Sequence, residues 1–188
     1  MPSKHMTDTI QQQIVISGVG GQGVLFVTRL MAEAAIRKGL SVLTSETHGM
    51  AQRGGTVISH LKVGPFTSPL IRTGQADVLM ALKAEGARQH GHYLRRQGWA
   101  MVNGPEGGEG VPGANGCQLD ADRLARDIGN PRSVNLVVLG AALGWGGADP
   151  LFCAADDIRT VLAERLAAKP DLLEMSTKAL EAGLRVCR

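Results

Sequence analysis

A glycine-rich turn near the start of the chain has the spacing of an anion-binding site. The pattern Gly-x-Gly-x-x-Gly occupies residues 18–23, directly after an apolar run at 14–17 and before a helical pattern that begins at Val24. In such a strand–turn–helix unit, backbone N–H groups approach an anion at the positive end of the helix. The candidate binding residues of this turn are Gly18, Gly20, Gly21, Gln22 and Gly23.

This pattern alone leaves two interpretations open. It predicts either an NAD or FAD site or a turn used for packing or for another anionic ligand. A dinucleotide site also needs an acidic residue at the end of the second strand, and Glu46 falls beyond that predicted strand, inside a loop. In either case we expect a Cβ at Gly20 or Gly23 to clash within the tight turn.

A second stretch, residues 45–55, is rich in side chains that could bind an anion or a partner. It follows a short strand pattern at 42–44, so we predict a loop at the carboxyl end of a strand, where open α/β sheets place ligands. Its candidate binding residues are Ser45, Glu46, His48, Gln52, Arg53, Gly54 and Gly55. The alternative is a solvated loop in which Glu46 and Arg53 form an ordinary ion pair.

The cysteine and histidine residues of this chain do not have the spacing of a metal or redox centre. Cys117, Cys153 and Cys187 lie far apart without Cys-x-x-Cys spacing, so they cannot build a zinc site or an iron–sulfur cluster alone. We predict that Cys153 and Cys187 act as small buried or terminal apolar residues. His90 and His92 are two positions apart and would not share a helix face. We therefore predict no metal site.

Two further residues carry open alternatives. His60 lies inside a predicted strand and is expected to be structural rather than a catalytic base. Trp145 stands beside Gly144, Gly146 and Gly147, so it is either an interface anchor or a ring packed over the edge of the sheet.

The remaining sequence alternates between strand and helix patterns. The predicted strands are 14–17, 42–44, 56–63, 76–82 and 99–103, and the predicted helices are 24–38, 85–97, 120–128, 133–144, 155–168 and 171–185. The glycine-rich composition of residues 104–116 predicts a surface loop. The strand at 56–63 is expected to bury only one of its two faces. This alternation predicts a three-layer, Rossmann-like α/β sheet that is largely parallel, with a mixed sheet allowed, flanked by helices. We expect a leader or the remnant of a tag at 1–12 and one domain at 13–188.

Composition excludes several classes of protein. The chain has 188 residues, which suits about one domain, and it has no uncharged apolar run of the roughly 18 residues that a membrane span needs. Its net charge is +3, but runs of like charge and interleaved aromatic residues are missing, which disfavours nucleic-acid binding. The sparse, odd cysteine count and the lack of a secretory signal favour the cytoplasm.

The order of several motifs resembles the gamma-type domain of 2-oxoacid:ferredoxin (acceptor) oxidoreductases. The resemblance runs over most of residues 13–145 and is carried by the glycine turn, Ala32-Glu33-Ala34-Ala35, the stretch 45–55, Ser59-His60, Leu124-Ala125, Gly129-Asn130-Pro131-Arg132, Asn135 and Leu139-Gly140. Within the family, the stretch His-Gly-Met-Ala-Gln-Arg-Gly-Gly at 48–55 is most similar to the beta subunits of indolepyruvate oxidoreductases. The resemblance adds Asn135 to the candidate binding residues.

This resemblance implies a subunit of a thiamine-diphosphate enzyme. Such an enzyme oxidatively decarboxylates a 2-oxo acid to an acyl-CoA and passes electrons through iron–sulfur clusters to ferredoxin. It implies a larger partner subunit that holds thiamine diphosphate and the clusters, while this chain binds no cofactor alone and closes or shapes the site. Individual catalytic roles do not transfer, and a homodimer of the isolated chain is allowed. The alternatives are a stand-alone NAD(P)- or FAD-binding module and a scaffold protein that reuses the fold.

Overall fold

The computed structural model describes residues 10–48, 55–105, 108 and 110–186. Its strands are β1 (Gln12–Val19), β2 (Val42–His48), β3 (Thr56–Val63), β4 (Ala76–Ala81), β5 (Leu94–Asn103) and β6 (Asn115–Leu119). Its α-helices are α1 (Val24–Arg37), α2 (Ala84–His90), α3 (Ala121–Asp127), α4 (Val134–Gly144), α5 (Ala155–Arg165) and α6 (Pro170–Leu184). Among these residues no helix combines the length and the apolar character needed to cross a membrane.

The strands form one sheet in the order β2-β3-β1-β4-β5-β6. Neighbouring strands from β1 through β4 and β5 to β6 run parallel, whereas β3 is antiparallel to both β1 and β2. The prediction of a largely parallel α/β sheet is confirmed, with β3 as its single reversed strand. All strands except β3 therefore end at one edge, which we call the carboxyl edge, and begin at the opposite amino edge.

Helices cover the two faces of the sheet unequally. One face carries α1 and α4, with α3, α5 and α6 packed around them, and it holds the larger core, which includes Ile14, Ile16 and Leu30. The other face is covered by α2 and by the segment 64–75, and its smaller core contains Val15 and Ile71. Because apolar groups leave water on both faces, the sheet lies at the centre of three layers.

The first helix shows how sequence determines local structure. Its apolar residues recur at helical spacing and its buried stripe includes Val27, Leu30 and Met31. The helix ends at Arg37, and Gly39 follows with φ +74°, as expected for a glycine just past a helix terminus. Helix α4 is different because it is buried on nearly every side, including Val137, and it packs between the sheet and α6.

Four predictions about local structure were wrong, and polar residues in the strands explain most of the errors. Strand β2 continues to His48, so Ser45 and Glu46 lie in a strand rather than in a loop. Helix α2 ends at His90 and β5 begins at Leu94, inside the region predicted to be helical. Strand β6 was missed. Its first residues are exposed, and its segment is rich in glycine.

The fourth error concerns β3, which was expected to pack on one side. Its residues from Ile58 to Val63 are all buried, because helices and the segment 64–75 cover both faces there. His60 and Lys62 are thus buried polar side chains, 3% and 8% exposed.

Two predictions about single side chains can be compared with the structure. Cys153 is buried, and this burial raises the pKa of its thiol to about 12. The Trp145 ring lies 6.0 Å from the Trp99 ring between centroids and is partly buried against the larger core, which favours packing. Cys187 lies outside the described residues.

Candidate functional site

The glycine turn lies at the point of the carboxyl edge where open α/β sheets bind ligands. After β1 the chain passes to α1 on one face, and after the neighbouring β4 it passes to α2 on the other face. Connections that leave neighbouring parallel strands in opposite directions create a crevice between the strand ends. The turn at 18–23 and Leu82 line this crevice.

The backbone of the turn already uses several of its donors within the chain. The Gly20 N–H donates to the Gly55 carbonyl at 3.2 Å, and the Gln22 N–H donates to the Val19 carbonyl at 3.1 Å. The Val19 N–H donates to Oε1 of Gln22 at 2.8 Å. A phosphate bound on this turn would need such N–H groups, so the turn is poorly prepared for a dinucleotide.

The side chain of Gln22 also crosses the crevice. Its Nε2 donates to the Leu82 carbonyl at 3.3 Å, beside the end of β4. The same carbonyl accepts from Nδ2 of Asn103 at 3.0 Å. Gln22 therefore joins the turn after β1 to β4 and β5, and this structural use was not predicted from the sequence.

Asn103 extends this hydrogen-bonded chain to α3. It is 1% exposed, its Nδ2 also donates to the Asp122 carboxylate at 2.8 Å, and its Oδ1 accepts from the Ala121 N–H at 2.9 Å. A buried asparagine with all these partners fixes the relative positions of β5 and α3. Sequence analysis missed it, although a polar residue that ends an apolar strand was the available signal.

Gly23 and Asn135 are brought together as a pair. Nδ2 of Asn135 donates to the Gly23 carbonyl at 3.4 Å, and its Oδ1 accepts from the Leu136 N–H at 2.9 Å. Gly23 has φ +80°, and a Cβ there would lie 2.3 Å from Nδ2 of Asn135. The pair holds the start of α4 against the start of α1. The expected clash at Gly20 is wrong for the described residues, since a Cβ there meets none of their atoms within 4 Å.

An open cleft remains next to the turn. It has a volume of about 390 Å³ and lies between Gly21 and Gln22 on one side and Asp122, Pro131 and Arg132 on the other. Arg132 is exposed, and no hydrogen bond or ion pair joins it to another described residue. The sequence had included Arg132 only among the residues that carry the resemblance.

The two polar residues of β2 point to opposite faces of the sheet. Ser45 is paired with His60 and Glu46 with Ser59, and successive residues of a strand alternate between faces. Strands β1 and β2 both end at the carboxyl edge, but the reversed strand β3 lies between them. Two strand spacings place Glu46 about 9 to 10 Å from β1, so this carboxylate is displaced from the position that holds a ribose beside a glycine turn.

The remaining candidates of this stretch are only partly described. His48 ends β2 opposite Val57, and Gly55 accepts the hydrogen bond from Gly20. Gln52, Arg53 and Gly54 lie outside the described residues, so their predicted roles remain predictions.

The comparison with known proteins identifies the family. The sequence profile described as pyruvate ferredoxin/flavodoxin oxidoreductase matches residues 13–186. The chain belongs to this family. An indolepyruvate oxidoreductase subunit IorB of Archaeoglobus fulgidus is 31% identical, over 90% of this chain and 92% of that protein.

Solved structures share the fold of this family domain. The gamma subunit of a keto/oxoacid ferredoxin oxidoreductase from Geobacter sulfurreducens is 25% identical with a TM-score of 0.72, over 92% of this chain and 96% of that chain. A 2-oxoglutarate:ferredoxin oxidoreductase from Magnetococcus marinus has a TM-score of 0.75 at 22% identity, and covers 92% of this chain but 30% of that longer chain. The α/β architecture is thus that of oxidoreductase gamma subunits.

Three of the described histidines, His60, His90 and His92, lie on the α2 face of the sheet. Nδ1 of His60 accepts from the Ile71 N–H at 3.3 Å, and its ring lies edge-on to Tyr93 at 5.3 Å between centroids. Burial lowers the pKa of His60, and the nearby His90 and Lys62 lower it further. A neutral ring that anchors the segment 64–75 agrees with the predicted structural role.

Proposed function

We propose that this chain is the smaller, gamma-type subunit of a thiamine-diphosphate-dependent 2-oxoacid oxidoreductase complex of the indolepyruvate type. The complex would oxidatively decarboxylate a 2-oxo acid to an acyl-CoA and reduce ferredoxin. The observation that carries this proposal is the likeness to the IorB subunit of Archaeoglobus fulgidus, which extends over 92% of that protein. The chain matches that separate subunit along most of its length and not merely at a shared motif.

The geometry of the carboxyl edge supports a subunit rather than a stand-alone dinucleotide-binding module. Gln22 fills the crevice, and Glu46 is displaced from β1 by the inserted strand β3. The same edge presents the exposed side chain of Glu46 on β2 and, beside an open cleft, that of Arg132. Charged groups without partners suit a surface that meets another protein or a charged ligand at the site they share.

We assign the cofactors to a larger partner subunit. Among the described residues, no group of three or more histidine, cysteine or acidic side chains is placed to hold a metal ion. The part of the chain that the structure describes therefore offers no ligand set for an iron–sulfur cluster. Thiamine diphosphate, where it is bound, stabilises the carbanion that decarboxylation leaves. This chain contributes the wall of the site, excludes water from it and positions the exposed groups of the carboxyl edge.

The other parts of the proposal follow from the same role. Ferredoxin and CoA would act through the assembled complex, no nucleic acid or membrane is involved, and the isolated chain can form a homodimer. The complex would be cytoplasmic. Residues 13–188 would form the single domain, with 1–12 as a leader.

Reconstitution tests the proposal directly. The chain is to be purified alone and together with the larger subunit encoded beside it, and then assayed with thiamine diphosphate, CoA and a ferredoxin. Indolepyruvate, 2-oxoisovalerate, pyruvate and 2-oxoglutarate serve as substrates. We expect activity only from the complex, with the highest kcat/KM for indolepyruvate.

Two results would contradict the proposal. One is a large subunit whose activity is the same with and without this chain. The other is micromolar binding of NAD(P) or FAD by the isolated chain in calorimetry, which would favour the stand-alone module. A higher kcat/KM for another 2-oxo acid would instead keep the subunit role and correct the substrate.

A further inference from the structure

A second pocket lies at the amino edge of the sheet, away from the glycine turn. It has a volume of about 420 Å³ and is lined by Gln13 at the start of β1, by Lys62 near the end of β3 and by the segment 66–75. Gln13 and Gly18 are five residues apart on the same strand, so the pocket is roughly 17 Å from the turn. The proposed function makes no use of this pocket.

Lys62 is the unusual residue of this pocket. It is 8% exposed, and no hydrogen bond or ion pair joins its ammonium to the described residues. Its Nζ lies 5.1 Å from the centroid of the Phe66 ring, which also lines the pocket. The stem of Lys62 is buried, its ammonium is not among the buried unpartnered polar atoms, and it reaches the pocket beside the Phe66 ring.

A second cation faces the same space. Arg72 lines the pocket and is exposed, and it too has no acidic partner among the described residues. The repulsion between the two charges adds to the effect of burial, and both lower the pKa of Lys62. Asp77, whose carboxylate accepts from the Gln13 N–H at 2.6 Å, is committed to Nε of Arg95 at 2.6 Å.

We propose that this pocket binds a phosphate group, held between Lys62 and Arg72. Phosphate carries close to two negative charges at neutral pH, which matches two cations, whereas a single carboxylate matches one. Arginine offers a planar fork of donors to phosphate oxygens, and lysine offers a point charge. The hydroxyl groups of Ser68 and Thr73 line the same pocket and supply neutral donors.

The segment that carries Arg72 is held in place from several sides. The Ile71 N–H donates to Nδ1 of His60, Ile71 itself is 3% exposed, and the Gly74 N–H donates to the His92 carbonyl at 3.0 Å. Nε2 of Gln13 donates to the Gln75 carbonyl at 3.0 Å. The backbone on both sides of Arg72 is therefore held in place before a ligand arrives, so less of this segment has to be ordered on binding.

Calorimetry with inorganic phosphate tests the proposal on the full chain. Phosphate is titrated against chloride at equal ionic strength, and Lys62→Met and Arg72→Gln are compared with wild type. We expect each substitution to raise the Kd for phosphate at least tenfold. Lys178→Gln, which removes a charge from an exposed pair on α6, is the control and should change Kd by less than about twofold.

Folding and ligand source are checked separately. Lys62→Met removes an unpaired charge that reaches the pocket and keeps the buried apolar stem, so its Tm should change little, and phosphate should raise the Tm of the wild type but not of this variant. If Lys62→Met fails to fold, the exposed Arg72→Gln still decides the question. Pyrophosphate and ADP distinguish the two sources of the phosphate group. If the pocket binds the phosphate of a larger ligand, pyrophosphate or ADP should bind more tightly than inorganic phosphate. If it binds free phosphate, neither should.

Three outcomes would overturn the proposal. They are no phosphate binding by the wild type, equal binding by the wild type and both pocket variants, and equal or tighter binding of succinate than of phosphate. The last result would indicate a carboxylate site. None of them bears on the reconstituted oxidoreductase activity, so failure here and failure of the proposed function are distinguishable.

Discussion

The amide side chains around the glycine turn and the cations of the amino-edge pocket are used in opposite ways. At the carboxyl edge, Gln22, Asn103 and Asn135 make hydrogen bonds to backbone groups of neighbouring elements. At the amino edge, Lys62 and Arg72 face a pocket without a partner among the described residues. The glycine turn, which has the spacing of a ligand-binding motif, thus uses the N–H groups of Val19, Gly20 and Gln22 within the chain, and a stretch with no recognised motif holds unpaired charge.

This difference shows that a sequence motif typical of a family need not mark the residues that bind a ligand. A glycine turn can be required because two helix starts approach closely, and the sequence pattern is then the same as for a bound phosphate. Whether the N–H groups are free decides between the two cases. The predictions below test that contrast by removing the internal partners at the carboxyl edge.

The largest effect is expected from Gly23→Ala. The substitution puts a Cβ at a residue with φ +80° and within 2.3 Å of Nδ2 of Asn135. Left-handed strain and the displaced amide together should lower the free energy of unfolding by about 2 to 4 kcal/mol. Chemical denaturation of the isolated chain measures it.

Gly20→Ala is the matched control for Gly23→Ala. No described atom lies within 4 Å of its Cβ, and its φ is not positive, so the change should stay within about 0.5 kcal/mol. Equal losses in the two variants would mean that the turn as a whole, rather than the contact with Asn135, requires glycine.

The sequence predicted the elements with clear apolar periodicity and missed those without it. Helices α1 and α4 and strand β4 lie close to their predicted ranges because their side chains pack into the core. The first half of β5 and the edge strand β6 are partly exposed, so their residues carry no alternating apolar pattern. Pairing with a neighbouring strand defines them, and that pairing is not local.

The candidate site was predictable only in part for a similar reason. The sequence named both Gly23 and Asn135 as candidate binding residues, and the structure brings them into contact, while their binding roles stay predictions. The reversed strand β3, which separates Glu46 from β1, is positioned by long-range strand pairing. The sequence motif at 45–55 does not encode that pairing. The internal role of Gln22 depends on the position of Leu82, which is 60 residues away in sequence.

The next effect in size concerns Gln22→Met. Methionine keeps the length of the side chain but removes the acceptor for the Val19 N–H and the donor to the Leu82 carbonyl. The Leu82 carbonyl keeps its hydrogen bond from Asn103, but the Val19 N–H loses its acceptor, which should cost about 1 to 3 kcal/mol in a denaturation experiment. Gln97→Met, at an exposed position, serves as control and should change little. A wild-type Tm for Gln22→Met would show that the crevice is held by other contacts.

A smaller effect is expected in the dependence of stability on pH. His60 has a folded-state pKa below its usual value, because of burial first and the charges of His90 and Lys62 second. The unfolded chain therefore binds more protons, so this stabilisation is complete above about pH 6.5 and declines as the pH falls further. In His60→Asn, whose Oδ1 can still accept from the Ile71 N–H, Tm should fall less between pH 7.5 and about 5.5. An unchanged slope would assign the acid sensitivity to other groups.

The smallest effect on the isolated chain is expected from Glu46→Gln, and it sharpens the contrast within the carboxyl edge itself. Glu46 is exposed on the edge strand β2, and its carboxylate has no partner among the described residues. Its loss should change the free energy of unfolding by no more than about 0.5 kcal/mol. If Glu46 meets the partner subunit, the same substitution should weaken assembly severalfold, measured by titrating the large subunit, since removing one member of an interfacial charge pair leaves the other unpaired. Unchanged assembly would instead restrict the docking surface to the cleft beside Arg132, where Arg132→Gln provides the corresponding test.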